Sequence, residues 1–229
     1  MKLKLFLATA FLAMSFLAQA QEKQDREVTS FSSIDISGAF KVYIRMGDKS
    51  ALTVVADSKV INDVDHSVNN GELSVEIDND WWEWNNDHGN IELYITVTKL
   101  SEIDLSGACV LKSKNTLTGS DMSIDASGAS KIFLDLSCNT VNLDISGASK
   151  VTLGGTCQKF NVEASGASAI YAADLQSKIV NLETSGACKA EVNASEHLDI
   201  EASGASQVRY KGNPKVTQDT SGASSVSSM

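Results

Sequence analysis

Asp104-Leu105-Ser106-Gly107-Ala108-Cys109 is the stretch that decides the fold, because its pattern returns along most of the chain. A first copy stands at Asp35-Ile36-Ser37-Gly38-Ala39, and later copies begin at Ser127, Ser146, Ser165, Ser185, Ser203 and Ser221. From Ser106 onward the steps between consecutive refrain serines are 21, 19, 19, 20, 18 and 18 residues. A unit of 18–21 residues is too short for a helix pair. It suits one coil of a solenoid, which buries its apolar face only by stacking on its neighbours.

Aligned on the refrain serine, each offset has its own chemistry. One residue before it come Ile36, Leu105, Ala126, Ile145, Ala164, Thr184, Ala202 and Thr220. Three before come Ile34, Ile103, Ile124, Leu143, Val162, Leu182 and Ile200, with Gln218 as the exception. Five after come Val42, Leu111, Ile132, Val151, Ile170, Ala190, Val208 and Val226. These columns alternate with polar ones, the period-two pattern of a strand with one buried face. Each coil therefore reads as a strand, a corner at Ser-Gly-Ala and a second strand. Glycine turns the chain at positive φ without a Cβ penalty, and Ser and Ala let corners stack at the strand spacing of about 4.8 Å. The serine hydroxyl is expected to satisfy backbone groups freed at the bend. The fold class is all-β, a right-handed parallel β-helix.

The flanks complete the organisation. Residues 1–20 read as a signal peptide, with Lys2 and Lys4, an apolar run from Leu5 to Leu17, and Ala18-Gln19-Ala20 at the cleavage positions. That run is too short for a membrane span. Residues 21–229 read as a single solenoid domain, with irregular coils over 21–100 and regular coils over 101–229. Within the irregular part, Gln21 to Ser30 reads as a loose polar lead-in, and Asp57 to Val64 as a helical turn or loop. Asn69-Asn70-Gly71 is a turn signal between two short strands. Without Lys2 and Lys4 the formal charge moves from −10 to −12, which argues against nucleic acid or an anionic membrane as the main partner. The chain has one proline and few aromatics, so the core must come from Val, Ile, Leu and Ala.

The targeting segment, the irregular first third and the tandem Asp-x-Ser-Gly-Ala-Ser coils resemble the bacterial head-GIN-domain family, described as autotransporter adhesins. The resemblance covers essentially all of the mature chain. It implies a β-helical envelope or surface protein, and it supplies no catalytic residues.

Three groups of residues are candidate sites. The first is the acidic column Asp35, Asp104, Asp125, Asp144, Glu163, Glu183, Glu201 and Asp219, two residues before each refrain serine. Stacked carboxylates about 4.8 Å apart repel by roughly 0.9 kcal/mol per pair in water. A calcium ladder would use that clustering. A solvated face relieved by Lys41, Lys131, Lys150 and Lys189 just beyond the corner accounts for it equally simply. The second group is Trp81, Trp82, Trp84, Asn85 and Asp87, holding all three tryptophans among polar residues. Aromatic faces beside amide and carboxylate groups suit a sugar ring, whereas tryptophans covering the open end of the core would look the same. The third is Cys138 and Cys157, eleven residues after their own refrain serines and so in one column. They are near enough for a bridge, which an exported protein permits, and stacked free thiols are the alternative. Cys109 and Cys188 replace the fourth refrain residue as buried fillers. His66, His88 and His197 show no ligand spacing, and Asn193-Ala194-Ser195 matches a glycosylation acceptor.

The sequence reading is an exported, non-enzymatic surface or envelope protein, located in the periplasm, at the cell surface or outside the cell. It contacts glycan or another surface through the Trp-rich loop, with no resident cofactor, no nucleic acid and no membrane insertion. One rival is a structural spacer that self-associates through its terminal coils. Another is a polysaccharide-degrading β-helix enzyme, which would need basic groups at its site, whereas Arg26, Arg45 and Arg209 are widely separated.

Overall fold

The computed structural model describes residues 21–77 and 90–229. Its strands in chain order are β1 (Gln21–Arg26), β2 (Ser33–Gly38), β3 (Phe40–Met46), β4 (Ala51–Asp57), β5 (Val64–Asn69), β6 (Glu72–Ile77) and β7 (Ile91–Val97). The regular coils follow as β8 (Glu102–Gly107), β9 (Val110–Ser113), β10 (Leu117–Thr118), β11 (Asp121–Ala126), β12 (Lys131–Ser137) and β13 (Thr140–Ile145). The last are β14 (Lys150–Ala164), β15 (Ala169–Thr184), β16 (Lys189–Ala202), β17 (Gln207–Lys211), β18 (Lys215–Thr220) and β19 (Ser225–Ser228). A 3-10 turn spans Ile61–Asp63, inside the stretch expected to be a helical turn or loop.

The strands wind as a parallel β-solenoid with two main files. One file runs β6, β2, β8, β11, β13, then the C-terminal parts of β14, β15 and β16, then β18. The other runs β7, β3, β9, β12, the N-terminal parts of β14, β15 and β16, then β17 and β19. Between the files the chain turns at Ser-Gly-Ala. The coil order is not the chain order: β2 lies between β6 and β8, so Gly38 sits in register with Gly107.

Beyond the β6–β7 coil the pairing becomes antiparallel. β4 pairs with β7, β1 with β4, and β5 with β6 through the turn at Asn70 and Gly71. The lead-in from Gln21 is thus a strand over Gln21–Arg26 rather than loose chain. Its polar sequence concealed it, because an edge strand held by main-chain bonds with its side chains largely exposed needs no apolar alternation. Thr53 adds a 2.6 Å hydroxyl bond to Asp25.

Inside, the inward columns form one hydrophobic cluster from Phe31 to Val208. Its bulk is aliphatic, as the composition required, with Phe40 and Phe160 the largest fully buried side chains. Each buried Val, Leu or Ile contributes about 1.5–3 kcal/mol.

The corner is a hydrogen-bonded ladder in its own right. The Ala148, Ala167 and Ala187 amides donate to the Gly128, Gly147 and Gly166 carbonyls, each at 2.8 Å. Gly147 has φ +76°, and a Cβ there would lie 2.5 Å from the Gly128 oxygen. Both the turn and the close stacking therefore require glycine. The hydroxyl that serves the bend belongs mainly to the fourth refrain residue, although the first-position Ser203 also donates to the Thr184 carbonyl at 3.3 Å. Ser130, Ser168 and Ser206 point into the core and donate to the carbonyls of Ser127, Ser165 and Ser203 at 3.4, 2.9 and 3.0 Å. The buried Cys188 thiol does the same toward Ser185 at 3.2 Å.

Candidate functional site

The strand before each corner presents the acidic column in register. Asp35 faces Asp104, Asp104 faces Asp125, and the file continues through Asp144, Glu163, Glu183, Glu201 and Asp219. From Asp144 to Asp219 it borders a shallow groove of about 550 Å³, whose other wall is the corner serines Ser165, Ser185, Ser203 and Ser221. Partial burial, and then the charges of Asp35 and Asp125, raise the Asp104 carboxyl above its ordinary range. Burial also raises Asp125, with Asp144 and Glu102 adding to it and a Ser123 hydrogen bond opposing it. Two residues further from the corner lies a file the sequence reading missed, Asn142, Asn161 and Asn181. Their amides bond coil to coil at 2.7 and 2.8 Å. The signal was present as asparagine four residues before three consecutive refrains. Among the described residues, no three His, Cys, Asp or Glu side chains converge on a point that could hold a metal ion.

The lysines expected to relieve this face do not reach it. Lys41, Lys131, Lys150 and Lys189 stand four residues after the refrain serine, on the strand beyond the corner. Among the described residues no ion pair involves the acidic column; Lys189 and Arg209 bind Glu191, and Lys211 binds Asp174. The reason is geometric: a corner turns the outward direction, so residues on its two sides face different ways. Lys150 and Lys189 lie over an aromatic ring instead, as do Lys112 and Lys114 on the same side of the corner. Lys114 is 3.9 Å from the Tyr43 ring centroid, Lys112 5.5 Å from Phe133, and Lys150 and Lys189 4.8 and 4.9 Å from Tyr171. Tyr43 stacks on Tyr94 with centroids 5.0 Å apart. The Tyr94 hydroxyl donates to Glu92 at 2.7 Å, which pushes its pKa up to about 12.

The remaining candidates are scattered. Cys138 and Cys157 are buried in one column as free thiols, and Cys157 contacts the Ser177 hydroxyl at 3.2 Å. Burial raises both thiols above their usual range. Cys109 and Cys188 are buried fillers. The Asn193 amide bonds the Ala173 carbonyl of the adjacent coil at 3.3 Å. His66 approaches the Glu27 carbonyl at 3.3 Å, and His197 lies on a different strand of the other end. Trp81, Trp82, Trp84, Asn85, Asp87 and His88 lie outside the described residues, as do residues 1–20. The segment carrying the tryptophans joins β6 to β7. Its flanks are fixed: Glu76 pairs with Ser37, and Ile91 with Phe40.

No helix among the described residues is long and apolar enough to cross a membrane. Among curated proteins no sequence matches. Among solved structures, one described as a "putative adhesin" from Bacteroides fragilis superposes with a TM-score of 0.82 at 21% identity, covering 93% of this chain and 98% of that one. A "putative adhesin" from Parabacteroides merdae gives 0.72 at 17%, covering 91% and 96%. A "putative lipid binding protein" from Parabacteroides distasonis gives 0.71 at 15%, covering 91% and 96%. At these identities the likeness establishes the solenoid fold. Residues 30–214 match the family model described as "Putative auto-transporter adhesin, head GIN domain". That match spans most of the chain, so the chain belongs to the head GIN domain family of adhesin-like surface proteins.

Proposed function

We propose that this chain is an exported, non-enzymatic surface protein that contacts glycan or another surface component through Trp81, Trp82, Trp84, Asn85 and Asp87. The observation that carries the reading is the length and composition of the chain between β6 and β7. A solenoid coil needs only a Ser-Gly-Ala corner to turn, yet the β6–β7 coil spends residues 78–90 between its two strands and concentrates every tryptophan of the chain there. Insertions at solenoid corners cost the core nothing and commonly form the binding edge of repeat proteins. Tryptophan beside amide and carboxylate groups supplies stacking area and hydrogen bonds for a sugar. The experiment is a glycan array and cell-binding assay on the full chain and on a Trp81→Ala, Trp82→Ala, Trp84→Ala variant. Binding lost in the variant with an unchanged melting midpoint supports the reading, and binding retained in full moves the contact elsewhere.

A further inference from the structure

The strand beyond the corner carries two adjacent outward files. Four residues after the refrain serine stand Lys41, Val110, Lys131, Lys150, Ala169 and Lys189; six after it stand Tyr43, Lys112, Phe133, Thr152, Tyr171 and Glu191. Register places each file in line, with Lys41 beside Val110, Val110 beside Lys131 and Lys131 beside Lys150. In the second file Tyr43 faces Lys112, Lys112 faces Phe133, Phe133 faces Thr152 and Thr152 faces Tyr171. The two files interlock: where the first has Val110, the second supplies Lys112. Four successive coils therefore each present one lysine, and Tyr43, Phe133 and Tyr171 fall on alternate coils.

Among the described residues, Lys41, Lys112, Lys114, Lys131 and Lys150 have no carboxylate partner. The acids on this face are engaged otherwise. Glu92 accepts from Asn90 and Tyr94, Glu191 holds Lys189 and Arg209, and Asp135 accepts from Thr116. Rings hold three of these ammonium groups in place by cation–π attraction, so the positive charge is arrayed without being neutralised. An array with one cation per coil, each coil rising about 4.8 Å, and rings every two coils or about 9.6 Å, matches a linear polyanion made of rings. We propose that this face binds an acidic polysaccharide lying along the solenoid axis. Its carboxylate or sulfate groups pair with Lys41, Lys112, Lys131 and Lys150, and its sugar rings pack along the edges of Phe133 and Tyr171, whose faces the lysines cover, as Lys114 and Tyr94 cover Tyr43. The rings distinguish this ligand from the carboxylate file of a second copy, which would match the charge and the pitch but offers no sugar-like surface. The site uses residues other than the tryptophans and stands whether or not they bind.

The test is calorimetric titration of the full chain with polygalacturonate, with neutral dextran as the control. Wild type is expected to bind polygalacturonate and not dextran, with weaker binding at higher salt. A Lys112→Glu, Lys131→Glu, Lys150→Glu variant should lose at least tenfold in affinity. The milder Lys112→Gln, Lys131→Gln, Lys150→Gln variant should weaken binding by a smaller factor with an unchanged circular dichroism spectrum. Glu163→Gln with Glu183→Gln, across the corner, should bind as wild type or more tightly, and the triple tryptophan variant should bind as wild type. Equal binding of dextran, no binding of polygalacturonate, or full binding by the charge-reversed variant overturns the proposal. So does loss of polygalacturonate binding in the tryptophan variant alone, which places the contact in the other segment. Sedimentation in which the lysine variants abolish self-association while wild type ignores polygalacturonate makes this face an interface between copies and overturns it too.

Discussion

The acidic face and the lysine face are the two sides of one corner, built by the same repeating backbone. Yet they are decorated in opposite ways. On the acidic face every coil from β2 to β18 offers a carboxylate at the same offset, and the charges stand directly over one another. On the lysine face the charges move between two files, and rings fill the gaps. Staggering lengthens the distance between like charges, and each ring offsets part of the remaining repulsion. The difference teaches that the fold is specified by inward and corner residues, which leaves the outward files free. The uniform file carries repulsion that solvent screens, whereas the staggered one arranges its charge.

The largest effect expected is at the corner that holds the two faces together. Gly166 has φ +76°, and a Cβ there would sit 2.6 Å from the Gly147 carbonyl oxygen. Gly166→Val should cost about 3 kcal/mol or more, combining left-handed strain with the clash. That is a drop of roughly 6–12 °C in Tm by thermal circular dichroism for a chain of this size. Gly71 also has positive φ but open space around it, so Gly71→Val should cost only the strain, about 1 kcal/mol. Equal losses at the two sites would mean that corner stacking contributes little.

Next in size is Tyr171→Ala on the lysine face. It removes the ring beneath Lys150 and Lys189 and leaves those ammonium groups on adjacent coils without it. A loss of about 1–2 kcal/mol is expected from the urea midpoint. Glu163→Ala across the corner should be neutral or stabilising, since it deletes a repelling charge. A loss at Glu163 as large as that at Tyr171 would erase the distinction between the faces.

Much of this was legible in the sequence because a solenoid repeats its constraints. Ile124, Leu143, Val162, Leu182 and Ile200 share one offset, and all five are buried. Gly107, Gly128 and Gly147 share another, and all stack at positive φ. The edge strand Gln21–Arg26 was hidden because main-chain pairing leaves no apolar pattern. The position of β2 between β6 and β8 was hidden because sequence order does not state which coil lies on which. The lysines were visible as a column, but their face was misjudged. The direction of an outward side chain changes across a corner, and no periodicity within one strand reports that. The asparagine file was visible and simply unread.

A smaller effect, of opposite sign, is expected at Asp104→Asn. Burial and then the neighbouring charges raise the Asp104 carboxyl above its ordinary value. Its protonated form is therefore favoured by folding, and the stability it adds is complete below the unfolded pKa and lost as pH rises through the folded one. Acidification into the carboxylate range should recover that stability in the wild type, with Asp125 contributing in the same direction. Asp104→Asn, which removes the charge outright, should raise the neutral-pH Tm by roughly 4 °C, given two neighbours at about 0.9 kcal/mol each and the lower end of 2–4 °C per kcal/mol. The gap to wild type should close on acidification. A variant less stable than wild type at neutral pH would mean that the carboxylate has a favourable partner.

The smallest effect expected is from calcium. The ion takes six to eight oxygens at about 2.3–2.6 Å, drawn from a loop that wraps it. A file giving one carboxylate per coil at about 4.8 Å sets two acidic groups beside any one position and leaves the rest of the sphere to water. Ligand-linked stabilisation grows as RT ln(1 + [L]/Kd), so weak, diffuse association at millimolar calcium leaves the midpoint within about 1 °C of its value in chelator. The corner serines and Thr184, which border the groove, carry further oxygens near the file between Asp144 and Asp219. A chelator-reversible rise of several degrees, lost in Glu163→Gln with Glu183→Gln, would mean that those hydroxyls and carboxylates close around an ion. The acidic face would then be a site as specific as the lysine face, and the contrast between the two would fail.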